Sequence, residues 1–118
     1  MGAQAGGLPG NRGRQYLPAA AFQGQRLWVA AYASSATSTR LVAVRSQGNH
    51  FGAPVTVNRW PVPADRICAP HPPDCLEGQT FIGDYIGLVA TRRQVVVAYI
   101  EPSAAPPQPN RVLVSSLR

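Results

Sequence analysis

Two segments of this 118-residue chain repeat one pattern of short apolar runs, and this repeat limits the possible folds more than any other feature. At an offset of 68 residues, residues 16–33 align without gaps on residues 84–101. A loop longer by three residues then places residues 40–43 on 111–114. Few identities are shared, so the repeat lies in the order of apolar and polar positions. The sequence therefore predicts two copies of one supersecondary unit.

The first unit, residues 15–58, predicts four short strands. Residues 16–22 form a short apolar run, Gln23-Gly24-Gln25 predicts a turn, and residues 26–33 (RLWVAAYA) give the strongest strand signal. Both faces of that segment are apolar, which is typical of a strand packed between two layers. Further strands are predicted at residues 39–46 and 54–58. Four successive strands with short links indicate an antiparallel meander.

The second unit, residues 81–118, repeats three of these strands. Apolar runs at residues 85–90 and 95–100 flank the polar corner Thr91-Arg92-Arg93-Gln94, which predicts a β-hairpin. A proline-rich connection, residues 103–110, leads to a last strand at residues 111–117. We expect this unit to be incomplete because it has no fourth strand.

Two further segments lack periodicity. Residues 1–14 are rich in glycine and predict a disordered arm. Residues 59–80 contain five prolines and both cysteines, and they predict a loop inserted between the two units.

Some of these residues resemble a known family. The phrase FIGDYIGL at residues 81–88, followed by VVVAY at 95–99, is similar to the F-x-G-D-Y-x-G-L phrase and following strand in late blades of bacterial sialidase-like propellers. The segment SQGNHFG at 46–52 resembles an Asp-box turn that keeps its serine, glycine and aromatic residue but lacks the aspartate. The chain thus resembles the sialidase-like (BNR, Asp-box) β-propellers from residue 16 onwards. The resemblance implies an all-β fold in which each antiparallel four-stranded meander is a propeller blade.

A propeller needs ~4–8 blades, and this chain supplies fewer than two. We expect a C-terminal fragment of a longer protein, in which the remaining blades come from the same chain. The alternative is that several copies close one ring, a known solution among small lectins of propeller type. The absent fourth strand favours the fragment.

The resemblance also implies a chemistry. Sialidase-type glycosidases use a tyrosine nucleophile assisted by a carboxylate, an acid/base aspartate, and arginines that clamp the substrate. On that basis Asp84 and Tyr85 are the candidate catalytic residues. Their structural alternatives are a turn carboxylate for Asp84 and a core aromatic for Tyr85. The arginines of such a clamp come from separate blades and do not map onto this chain, so we expect the chain to be inactive alone. We expect no cofactor. Glu101 is expected in a loop.

Two hypotheses of other classes compete with the glycosidase fragment. One is a carbohydrate-binding, lectin-like module in which Trp28, Tyr32 or Tyr85 stacks on a sugar. The other is a structural or interaction piece of a propeller without a ligand.

Cys68 and Cys75 bracket a proline-rich loop, and we predict a disulfide between them, which places the protein outside the cell or in the periplasm. Free thiols and a metal site that adds His71 and Asp74 are the alternatives. The spacing fits no standard zinc finger and three prolines restrict the ligands, so no metal is expected. Residues 1–15 lack the apolar core of a signal peptide, and the targeting segment is expected outside this chain.

The net charge of +6 comes with eleven arginines and no lysine. Arginine favours phosphate binding, but these residues are dispersed and form no basic run, so no nucleic-acid partner is expected. The longest apolar run, residues 27–33, is far shorter than the ~20 residues that cross a bilayer, and no membrane partner is expected. His50 is expected to be a solvated turn residue.

Overall fold

The computed structural model describes residues 14–68, 76, 78–82, 86–102 and 111–117. In these ranges the protein is all-β with antiparallel sheets, as predicted, and contains no α-helix. The strands are β1 (Arg14–Gln23), β2 (Arg26–Ser34), β3 (Thr39–Gln47), β4 (His50–Phe51), β5 (Val55–Trp60), β6 (Ile67–Cys68), β7 (Thr80–Phe81), β8 (Gly87–Ala90), β9 (Val95–Glu101) and β10 (Arg111–Leu117). The predicted arm lies outside the described residues except for Arg14, which begins β1.

The first sheet is a meander in which β1, β2, β3 and β5 pair antiparallel in that order. The two-residue strand β4 pairs with the end of β3. Gly24, with a φ of 60°, forms the tight turn between β1 and β2. The last strand runs to Trp60, two residues beyond its predicted end, because Trp60 pairs with Thr39 on β3.

The second sheet is a three-stranded antiparallel meander of β8, β9 and β10. The last strand has its predicted bounds, whereas β8 starts at Gly87, later than predicted, and residues 83–85 lie outside the described residues. The corner between β8 and β9 closes by a backbone bond of 2.7 Å from the Thr91 N–H to the Gln94 carbonyl. The hydrogen bond thus closes the turn although the sequence has no Asn-Gly pair at this corner.

The two sheets share one register. At an offset of 68 residues, the pair Phe22–Leu27 in the first sheet falls on Ala90–Val95 in the second, and the rest of that ladder follows it. The ladder between β2 and β3 falls in the same way on that between β9 and β10 once the loop longer by three residues is allowed for. The repeat in the sequence is therefore a repeat of strand order and of strand pairing.

Each sheet has two faces, because successive residues of a strand point to opposite sides. We define the front face by three positions on the second strand of each sheet and the back face as the other side. The front positions are Trp28, Ala30 and Tyr32 in the first sheet and the corresponding Val96, Ala98 and Ile100 in the second.

The core forms where the front face of the first sheet packs on the back face of the second. Ala30 and Leu41 supply one side, while Val95, Val97 and Tyr99 supply the other, and each is at most 2% exposed. Corresponding surfaces therefore do not meet, as they would about a two-fold axis. The sheets are related head to tail, as in a heterologous interface.

The segment predicted as an inserted loop, residues 59–80, takes part in this core. Trp60, Val62 and Ile67 are 6% exposed or less and pack with residues of both sheets. The segment also contains a 3-10 turn, Ala64–Arg66, and strand β6, which pairs parallel with β7. The segment predicted as a Pro/Cys-rich loop therefore contains short regular elements and core residues, because apolar residues between prolines fill the space between the sheets.

The outer faces of the two sheets differ in exposure. On the back of the first sheet, Ala31 and Val42 are at most 3% exposed, so both faces of its inner strands are buried, as predicted. On the front of the second sheet, by contrast, Val89, Val112 and Val114 are 65–68% exposed.

Candidate functional site

The most distinctive side-chain cluster surrounds Trp28, which lies on the front face of the first sheet. Arg45 is its cross-strand partner on β3, and the guanidinium carbon lies 5.6 Å from the ring centroid of Trp28. This distance is typical of a cation–π contact. The indole N–H donates to Oε1 of Gln23 at 3.2 Å, so the ring is fixed at its polar edge as well.

Glutamines join this cluster to the second sheet. The Nε2 group of Gln23 donates to the carbonyl of Thr91 at 2.9 Å, which links the turns of the two hairpins at corresponding positions. In the second sheet, Nε2 of Gln94 donates to the hydroxyl of Ser116 at 2.7 Å. These hydrogen bonds fix the side chains of Gln23 and Gln94 on opposite walls of the space between the two turns.

Between these walls lies a cleft of about 450 Å³. Trp28 and Leu117 form its apolar part, and its polar lining consists of Gln23, Arg45, Arg93, Gln94 and Ser116.

A second cavity of about 410 Å³ adjoins the cleft and shares Trp28, Ser116 and Leu117 with it. Its outer wall is formed by Val55, Thr56 and Val57 of β5 and is therefore apolar with one hydroxyl. Pockets for small ligands commonly measure ~300–1,000 Å³ and combine an apolar lining with a few polar groups.

The cleft is positively charged. Arg45 is half-buried and Arg93 is exposed on the turn between β8 and β9. Within the part of the chain that the structure describes, neither has a carboxylate at salt-bridge distance, in contrast to Arg111, whose Nε lies 2.6 Å from Oε2 of Glu101. Within the described ranges the two guanidinium groups therefore have no carboxylate partner.

The Trp28–Arg45 pair is not required by the repeated fold. In the second sheet the corresponding cross-strand pair is Val96–Ser116, in the same register. A sheet of this design therefore forms with a small apolar residue and a serine at these positions.

Tyr32, a predicted sugar-stacking residue, is fully buried. Its hydroxyl donates to the carbonyl of Ile100 at 2.6 Å and accepts from the N–H of the same residue at 2.9 Å. Burial raises the pKa of Tyr32 well above its usual range, so the hydroxyl stays neutral. The ring stacks on Tyr16, with centroids 5.6 Å apart, and presents no free face to a ligand. In this structure Tyr32 therefore joins the two sheets.

Glu101 ends β9 and does not lie in the expected loop. The hydrogen bond from Arg111 lowers the pKa of its carboxyl group. Arg111 stands directly opposite Glu101 in the ladder between β9 and β10, so the ion pair joins the last residue of β9 to the first residue of β10.

The remaining predicted residues are only partly described. Cys68 is disulfide-bonded and buried, whereas Cys75, its predicted partner, lies outside the described residues. Asp84 and Tyr85 also lie outside them, as do His71 and Asp74.

The described ranges hold neither a metal-binding cluster nor a membrane-spanning helix. They contain no group of three or more His, Cys, Asp or Glu side chains arranged to hold a metal ion. They also contain no helix with the length and apolar character needed to span a membrane.

Comparison with protein-family models, curated proteins and solved structures found no match to this chain.

The sequence did not single out the polar residues of the cleft. Gln23, Arg93 and Gln94 fall in predicted turns, and Arg45 is one of the arginines that stand singly in the sequence. One signal was available, since Arg45 falls opposite Trp28 when the predicted strands are paired as a meander. Arg93 joins it only through the packing of the two sheets, which strand patterns do not encode.

Proposed function

We propose that this chain supplies two neighbouring blades of a sialidase-like β-propeller and does not hydrolyse glycosides by itself. The observation that carries the proposal is the head-to-tail packing of two meanders that share one register. Blades of a propeller are meanders arranged around one axis, so the front of each faces the back of the next. The first strands of the two units, β1 and β8, lie beside each other, which is expected for strands next to a common axis.

The exposed front face of the second sheet is the surface on which a further blade would pack. Val89, Val112 and Val114 are each about two-thirds exposed, whereas Ala30 and Leu41 on the covered front face of the first sheet are fully buried. Head-to-tail contacts close into rings when the rotation permits. The further blades come from a longer chain of which this is part or, in the alternative, from other copies of this chain.

The location proposed is extracellular or periplasmic. The disulfide at Cys68 supports it, because disulfides persist in oxidising compartments.

Two measurements on the purified chain test the proposal. A fluorogenic sialoside should not be turned over, and turnover that follows the chain through purification would contradict inactivity of the isolated blades. Light scattering distinguishes the sources of the remaining blades, because a ring of copies has a mass of several chains whereas a fragment is a monomer. The variant Val114→Arg should reduce a ring to monomers, and the exposed turn variant Gln25→Arg, which adds the same charge elsewhere, should not.

A carbohydrate-binding module is the second candidate function. The cleft beside Trp28 favours it, since an aromatic residue lies there beside amide and guanidinium side chains that can form hydrogen bonds to hydroxyl groups. Tyr32 takes no part in this version of the proposal because it is buried. Trp28 is itself only 3% exposed and has Arg45 over its ring, so it lines the cleft but offers no open face for stacking on a sugar.

A further inference from the structure

We propose that the cleft between the two hairpin turns binds the carboxylate of a small organic acid, and that Arg45 and Arg93 form the hydrogen bonds to this carboxylate. The proposal depends on the geometry of the cleft and not on closure of a propeller. Its failure would therefore leave the proposed blades untouched.

The first argument is the chemistry of the two cations. A guanidinium group presents a planar fork of N–H donors that matches a carboxylate, and charge-assisted bonds of this type are the strongest hydrogen bonds in proteins. Over the described ranges neither Arg45 nor Arg93 has a carboxylate partner, although Arg111 in the same sheet as Arg93 has one. Among the described residues, the cleft therefore contains no anion that neutralises these two cations.

The second argument is preorganisation. Arg45 lies over the ring of Trp28, and that ring is held in turn by the bond from its N–H to Gln23. Gln23 also bonds to Thr91, two residues before Arg93, so the two turns that carry the cleft keep their spacing. A ligand that meets a fixed partner such as Arg45 loses less binding energy to the ordering of that side chain.

The third argument is that the fold does not need these residues. The corresponding pair in the second sheet, Val96–Ser116, forms the same ladder without a cation or an indole. A tryptophan covered by an arginine at the end of a cleft is thus a property of one unit only. A binding role accounts for this difference between the two units.

The size of the ligand follows from the cavities. The cationic cleft measures about 450 Å³, and the cavity of about 410 Å³ lined by Val55, Thr56 and Val57 shares Trp28, Ser116 and Leu117 with it. The carboxylate lies at the arginines, and the body of the ligand extends beside Trp28 and Leu117, the apolar side chains of the cleft. Sugar acids and acylated amino acids both have this construction.

The experiment titrates the full chain with two carboxylates and their neutral counterparts. Glucuronate is compared with methyl glucoside, and N-acetyl-leucine with N-acetyl-leucinamide, by calorimetry and by the NMR resonance of the Trp28 indole N–H. At least one carboxylate should bind roughly tenfold or more tightly than its counterpart, because a hydrogen bond to a charged group has that value. Whether the sugar acid, the acylated amino acid or both bind identifies the body of the ligand.

Variants assign the binding to the cleft. Arg93→Gln removes a charge from an exposed turn, and Arg45→Lys keeps the charge and the aliphatic stem but loses the fork, so each should weaken binding by about tenfold. Arg92→Gln, one residue away and outside the cleft lining, makes the same charge change as Arg93→Gln and should bind as the wild type does. The proposal is overturned if neither carboxylate is preferred over its counterpart. Equal binding by wild type, Arg93→Gln and Arg45→Lys would overturn it as well.

Discussion

The hydroxyl of Tyr32 satisfies two backbone groups of Ile100, one as donor and one as acceptor. The two residues occupy corresponding positions in the two units, so a single side chain fixes the spacing of the sheets at this end of the core. Its ring also stacks on Tyr16 and packs against Trp60 at 6.3 Å. Removing the hydroxyl costs more stability than such a hydrogen bond contributes on average. The reason is that the partly buried N–H and carbonyl of Ile100 would be left without a partner.

We therefore expect Tyr32→Phe to lower the free energy of unfolding by about 1–3 kcal/mol. Tyr99→Phe is the control and should cost less, since its hydroxyl bonds only to the side chains of Asn58 and Ser115, which can turn towards other partners. Urea unfolding followed by tryptophan fluorescence measures both values.

Tyr32→Phe should also change how the stability of the protein depends on pH. Burial raises the pKa of Tyr32 in the folded protein above its value of 10.0 in the unfolded chain. Stability is therefore complete below pH 10 and is lost as pH rises from there towards the folded pKa, because the unfolded chain releases the proton first. This loss should be smaller in Tyr32→Phe, and an unchanged alkaline profile would show that Tyr32 does not titrate on unfolding.

At the level of elements, the hairpin between β1 and β2 depends on a residue in a left-handed conformation. Gly24 has a φ of 60° with open space around it, so a methyl group there meets backbone strain and no neighbouring atom. Gly87 in β8 has no positive φ, and its added methyl group would make an ordinary contact of 3.7 Å with Ala98.

Gly24→Ala should consequently destabilise the protein by roughly 1–2 kcal/mol, the cost of the left-handed conformation. Gly87→Ala should be neutral or should stabilise the protein by about 0.4–1 kcal/mol. The added methyl group lowers the conformational entropy of the unfolded chain and causes no strain in the folded protein. Thermal unfolding of the two variants beside the wild type tests the pair. A loss for Gly87→Ala as large as that for Gly24→Ala would contradict the assignment of the turn.

Elements built from local contacts were predictable from the sequence. The strands of both meanders follow from apolar runs and polar corners, and the offset between residues 16–33 and 84–101 anticipated the register of the second sheet. The core role of Trp60, Val62 and Ile67 was not predictable, because prolines around them remove the periodicity that marks a packed strand. The cleft was missed for a related reason, since Arg45 and Arg93 meet only through contacts between the sheets.

At the level of the whole molecule, the two sheets share one core and cannot be separate folding units. A three-stranded sheet such as β8–β10 needs a packing partner for stability. Its back-face residues Val95 and Val97 are fully buried against the front of the first sheet. Damage to one sheet should therefore be detected in the other.

Val97→Ala tests this coupling. Removing two buried methyl groups should cost about 2–3 kcal/mol. Both tryptophans belong to the first sheet, so their fluorescence reports on the sheet that was not mutated. The transition measured by fluorescence should shift with that measured by circular dichroism. Separate midpoints would show that the two sheets unfold independently.

The head-to-tail arrangement also gives the molecule a direction of growth. A pair of sheets joined about a two-fold axis is closed once both partners are present, whereas here the second sheet buries its back face and leaves its front face exposed. Tandem duplication of the unit would place a third sheet on a surface of the kind that already packs well. No new contact chemistry would have to evolve for that step. The core that Ala30 and Val97 share is therefore an interface that a longer chain of such units could repeat.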